Sequence, residues 1–153
     1  MADEMSSNDQ DKITIAREYF IRTDQGRPDI LELFHEDAEI YFPKFGFGFG
    51  RQSFFAMVKG FEGSLEHIRH DYDVFTFIPS GDYLVVEGTS QGKMSDKSWA
   101  GGKTPGGRFC NVFKFRDGGV VSQFENRECL ASEEYSPPRR GGVAAPLTKM
   151  SVE

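Results

Sequence analysis

The segment Arg108 to Cys129 constrains this chain most: two alternating runs are joined by Asp117-Gly118-Gly119, a hairpin signature. In the first run the odd positions are Phe109, Asn111, Phe113 and Phe115, while the even ones include Lys114 and Arg116. A period of two puts successive side chains on opposite faces of a sheet, so the odd face is predicted to look into a core. A three-residue loop with glycine at the left-handed position sets Arg116 opposite Val120. It also pairs Asn111 with Glu125, Phe113 with Gln123 and Phe109 with Arg127. A two-residue Asp117-Gly118 turn shifts the register by one and inverts that face. On the first register Glu125, Asn111 and Gln123 are polar groups among Phe rings. A carboxylate so placed loses solvation, rises in pKa and can exchange protons near neutral pH. The plainer alternative has Glu125 and Arg127 as an ion pair on the outer face.

The preceding chain reads as α-α-β-α-β-β. Asp11 to Gln25 carries Ile13, Ala16 and Phe20 on one stripe and stops at Gly26. Pro28 opens a second short helix ending near His35, followed by a strand from Ala38 to Phe42 closed by Pro43. The alternating Phe and Gly residues from Phe45 to Gly50 read as a loop, and Gln52 to Phe61 as a helix. Strands are predicted for Ile68 to Ile78 and for Tyr83 to Lys93 about a Pro79-Ser80-Gly81-Asp82 turn. Ser95 to Gly107 is too rich in glycine for a strand. Residues 1–10 are expected to lie outside the folded domain, residues 11–130 to form it, and 131–153 to make a mobile or surface-wrapping tail.

With 153 residues, 18 Lys+Arg against 24 Asp+Glu and a net charge of −6, the chain is read as one mildly acidic domain, unsuited to a nucleic-acid surface. Rings make up 14% of it, 15 of them Phe, which favours a sheet-rich core. No apolar run reaches membrane-span length, and the polar start is unlike a signal peptide, so a cytoplasmic protein is expected. Cys110 and Cys129 are read as reduced thiols, and no Cys/His spacing suits a metal. Gly102-Lys103-Thr104 lacks the earlier glycine of a phosphate loop, since Lys97 stands there. No redox-cofactor motif is visible, so cofactor-free proton transfer is expected.

Three stretches carry a resemblance: Phe34 to Pro43, Ser80 to Gly88 and Phe113 to Val121. With the element order, they make the chain similar to the SnoaL-like polyketide cyclase and ketosteroid isomerase branch of the nuclear-transport-factor-2-like, or cystatin-like α+β, superfamily. The resemblance covers about Asp11 to Leu130. It implies an α+β fold in which a curved antiparallel sheet forms a cone around three helices of the N-terminal half. It also implies a homodimer through the outer sheet face and a pocket for a small hydrophobic ligand. In the isomerase branch an oxyanion-stabilising acid aligns with Asn111, which can still donate an N–H. That branch's base precedes the proline ending the first strand, where Phe42 stands, and its phenolic donor aligns with Phe20, one residue from Tyr19. Ketosteroid isomerisation by that mechanism is therefore not expected.

The expected catalytic residues are Glu125, His70 and Asn111, because imidazole titrates near neutrality and a carboxylate among rings can be tuned there. Gln123, Tyr72, Phe20, Phe42, Phe113 and Trp99 are expected to bind substrate, with Phe45, Phe47, Phe49 and Trp99 forming a flexible apolar rim. The reaction class implied is isomerisation, cyclisation or dehydration of a hydrophobic cyclic carbonyl compound. The alternative is a non-catalytic binding or dimerisation module with the same fold.

Overall fold

The computed structural model describes residues 7–43 and 45–127. Helix α1 (Ser7–Asp24) precedes a 3-10 turn (Pro28–Leu33), strands β1 (Phe34–Phe42) and β2 (Gly46–Phe49), and helix α2 (Ser53–Lys59). Strands β3 (Leu65–His70), β4 (Thr76–Ser80), β5 (Tyr83–Met94), β6 (Lys97–Ala100), β7 (Arg108–Arg116) and β8 (Gly119–Arg127) complete it. The sheet runs β2-β1-β8-β7-β5-β3, with β4 and β6 also paired to β5. All pairings are antiparallel except β1 with β8. The result is the expected α+β architecture, with a curved, unclosed sheet.

Helix α1 lies on the inner face of the sheet because Ile13, Ala16, Tyr19 and Phe20 form one buried stripe. These side chains meet Phe34, Ala38 and Ile40 of β1, Leu84 and Val86 of β5, and Phe109, Phe113 and Phe115 of β7 in one core. Each ring taken from water contributes about 1.5–3 kcal/mol, so a ring-lined cone is a stable way to use so many phenylalanines. Lys12 is buried too. Its ammonium pairs with Asp9 at 2.8 Å and donates to the Gly81 carbonyl, tying α1 to the β4–β5 turn.

Several elements differ from the sequence expectation. Helix α1 begins at Ser7, four residues into the segment expected to lie outside the domain. The second helix is a 3-10 turn that ends at Leu33, because Phe34 is already paired with Val120. The Phe-Gly run is a strand, not a loop: Phe47 pairs with Tyr41 and Phe49 with Glu39. Its alternation is itself a strand period, with rings outward and Gly48 inward. A Cβ on Gly48 would stand 2.5 Å from Ser53 Oγ of α2.

The predicted strand from Ile68 to Ile78 is two strands broken by a 3-10 turn at Tyr72–Val74. Asp71 anchors the break by accepting hydrogen bonds from Thr89 Oγ1 at 2.7 Å and Gln91 Nε2 at 3.1 Å. Part of the glycine-rich stretch forms β6, which folds back on Gln91–Met94. There Trp99 fills the space above Gly92, whose Cβ would meet the indole at 2.5 Å.

Candidate functional site

The β7–β8 ladder fixes the inner wall of the cone. Asn111 pairs with Glu125, Phe113 with Gln123 and Phe109 with Arg127. The turn, however, has two residues: Arg116 pairs with Gly119 and Phe115 with Val120. Asp117 and Gly118 have φ of 49° and 76°, the left-handed pair that suits the twist of a tight hairpin. A register shift follows between Lys114 and Phe115, since Lys114 pairs with Ser122 and leaves Val121 as the extra residue. The bulge cancels the slip that a two-residue turn alone would impose.

On this wall Phe109, Asn111, Phe113 and Phe115 are all buried, while Cys110, Val112 and Lys114 are only partly so. Gln123 is also buried, between Phe113 of β7 and Ile40 of β1. Among the described residues, both polar atoms of the Asn111 carboxamide and both of the Gln123 carboxamide are buried without a hydrogen-bond partner. An unmade hydrogen bond on a buried polar atom costs about 1–3 kcal/mol, so such groups call for an explanation. Glu125 stands opposite Asn111 along the backbone, and its side chain lies outside the described residues.

A second polar group is built where α1 ends against β3. His70 is 1% exposed, and its Nδ1 stands 2.6 Å from Asp24 Oδ1. The His70 backbone N–H donates to Asp24 Oδ2 at 2.8 Å, and the Tyr72 hydroxyl donates to the same oxygen. Burial opposes ionisation of Asp24, but the hydrogen bonds and charge of His70, with the bond from Tyr72, hold its carboxyl below the usual range. Burial first, and then the bond to Asp24, push the Tyr72 phenol far up, so it remains a donor. The His70 ring packs on Phe20 at 4.8 Å and Phe109 at 5.1 Å between centroids.

An apolar cavity of about 260 Å³ opens between α1, α2 and β3, lined mainly by Tyr19, Ile30, Phe42, Phe54, Val58, Phe61, Leu65 and Ile68. Arg22, Arg27 and Glu62 supply its charged positions. Of the residues expected to bind substrate, Phe42 lines this cavity. Phe113 is one ring behind it, against Tyr19 at 5.3 Å, and Phe20 lies between His70 and Phe113. Tyr72 serves the Asp24 group. Trp99 is buried at the far end of β5, donating from Nε1 to Ser90 Oγ at 3.1 Å. Phe47 and Phe49 are exposed, at 58% and 77%, on the outer side of β2.

Asp24 and Tyr19 are additions to the residues expected from sequence. Tyr19 had a signal, adjacency to the position aligned with a phenolic donor; Asp24 had none, being one more acid at a helix end. Among the described residues no group of three or more His, Cys, Asp or Glu side chains converges on a metal position. No helix among them is long and apolar enough to cross a membrane.

Residues 16–123 match the family model of the SnoaL-like domain. The chain belongs to the SnoaL-like family. Solved structures agree on the fold of this SnoaL-like chain. A nuclear-transport-factor-2-like protein of unknown function from Burkholderia pseudomallei K96243 is 19% identical, with a TM-score of 0.66 over 77% of this chain and 91% of that one. A protein from Xanthomonas campestris pv. campestris, assigned by name to the polyketide cyclases, is 15% identical, with a TM-score of 0.67 over 80% and 93%. TerC, co-crystallised with polyporic acid, is 20% identical, with a TM-score of 0.58 over 77% and 92%. No curated protein matches the SnoaL-like chain.

Proposed function

We propose that this SnoaL-like domain binds a small, mostly apolar cyclic carbonyl compound in its cone and moves a proton on it, isomerising, cyclising or dehydrating it without a cofactor. The observation that carries this reading is the pair of buried, unpartnered carboxamides of Asn111 and Gln123 on an aromatic wall. Glu125, opposite Asn111 in the ladder, is the proposed acid/base, with His70 as its alternative. The base takes a proton from the carbon beside the ligand's carbonyl. Carboxamide N–H groups hold the resulting enolate oxygen, and the same base returns the proton elsewhere on the ligand. Phe20, Phe42, Phe113 and Tyr19 exclude water, which strengthens each hydrogen bond inside. Trp99 enters this reading as support for the β5 end of the wall. The polyketide cyclase name and the polyporic acid complex among its structural neighbours agree with a cyclic, oxygenated ligand. The same reading places a second copy of the chain on the outer sheet face and the protein in the cytoplasm.

The cavity between α1, α2 and β3 favours a second reading, passive binding, because its lining includes neither Asn111, Gln123 nor His70. One experiment separates the two. Cyclic ketones that raise the melting temperature are incubated with wild type, Glu125→Gln and His70→Gln, and proton exchange into solvent is followed by NMR. Catalysis predicts that one substitution lowers exchange by about 10²-fold or more while the melting shift remains. Exchange at the uncatalysed rate in wild type leaves only the binding role.

A further inference from the structure

The reading of the cone as a binding site, on which this step rests, leaves the ligand's polar end unspecified beyond a carbonyl. The two carboxamides specify more. Each offers two N–H donors and one carbonyl acceptor, and in both side chains nitrogen and oxygen alike are buried without a partner. A ligand that only accepts would satisfy the N–H groups and strand both carbonyl oxygens. Exchanging the nitrogen and oxygen positions of either amide changes nothing, because both atoms of both groups need partners.

The residues are diagonal neighbours on one face, Asn111 opposite Glu125 and Gln123 two positions along, which sets their Cβ atoms roughly 7 Å apart. Val86 and Ile40, both fully buried, flank them on the neighbouring strands and offer no polar side chain. A ligand that carries a donor as well as an acceptor leaves fewer of these four polar atoms unpaired than one that only accepts.

Charge narrows the class further. Among the described residues the positive groups near the core and cavity already have acidic partners. Arg22 pairs with Glu18 at 3.0 Å, Arg27 with Asp29 and Lys12 with Asp9. An anionic ligand would enter a ring-lined interior beside two carbonyl oxygens and, among the described residues, meet no uncommitted cation there. We propose that the cone selects an uncharged ring compound in which a hydrogen-bond donor stands beside a carbonyl, as in a ring lactam or hydroxy ketone, over the simple ketone and over the carboxylate.

Three bicyclic probes of similar size test this by calorimetry on the full chain: carbostyril, with N–H beside C=O, α-tetralone, with C=O alone, and β-naphthoate. Carbostyril is expected to bind about tenfold or more tightly than α-tetralone, the worth of one further buried hydrogen bond. β-Naphthoate is expected to bind weakest. Asn111→Leu and Gln123→Met are near-isosteric and remove a buried polar group, so they are expected to fold with melting temperatures at or above wild type, and to bring the carbostyril and tetralone constants within about threefold. Equal affinities in wild type, tightest binding of naphthoate, or a preference that persists in both variants would overturn the selection rule and leave the cone as an apolar site. Failure of every probe, together with every ketone of the preceding screen, would overturn the binding site itself.

Discussion

Asp24 is the residue on which the most local structure depends. Its carboxylate takes the His70 ring, the His70 backbone N–H and the Tyr72 hydroxyl, and so joins the end of α1 to β3 and to the turn after it. Asp24→Asn keeps the shape and removes the charge, and is expected to lower stability by roughly 1–3 kcal/mol in urea unfolding. The pH dependence follows from the lowered pKa. Stability from this group is complete above the ordinary carboxyl value of 3.8 and is lost as pH falls through the lower folded-state value. Wild type should therefore lose more stability than Asp24→Asn on acidification below about pH 4, read as the difference between their melting temperatures. His70 and Tyr72 were visible in the sequence as polar residues on a candidate strand. Their acceptor was not, because nothing local links a helix end to a strand 46 positions on.

The β7–β8 hairpin shows what can be read at the scale of an element. Alternation of rings and charges gave the inward face of β7, and the pairs Asn111 with Glu125 and Phe113 with Gln123 are those expected. The turn is one residue shorter than the three-residue loop the sequence suggests, and the bulge at Val121 restores the register that the shorter turn alone would lose. Such a bulge leaves no trace in composition. Gly118→Val, at a φ of 76°, is expected to cost about 1–2 kcal/mol in urea unfolding, because a β-branched residue resists the left-handed region. Deleting Val121 is a stronger test. It should slip Ser122 and the residues after it by one position, move Gln123 off the inner face, and abolish a cooperative melt. Short strands are harder to read: β2 and β6 have four residues each, and glycine obscures the strand pattern because Ser53, Met57 and Trp99 occupy the space a side chain would need.

At the scale of the molecule, part of the exposed apolar surface of the described residues lies outside the cone. Tyr41 and Phe47 meet as tilted rings, 4.8 Å between centroids, beside the exposed Phe49, and Ile78 and Tyr83 are also exposed. If two copies pair there, sedimentation should give twice the chain mass for wild type, and Phe49→Glu should shift it to the single-chain value with the fold intact. The parallel pairing of β1 with β8 carries a different consequence, one for synthesis. Ile40 lies beside Gln123 and Tyr41 beside Phe124, so the first described strand finds its central neighbour only when the last described one has emerged. Until then β1 and β2 hold an open edge rich in aromatic residues, and helix α1 has half a wall to rest on. The nascent chain is thus exposed to mispairing for most of its translation, and its closure is a late event in which β8 slots between two strands already waiting.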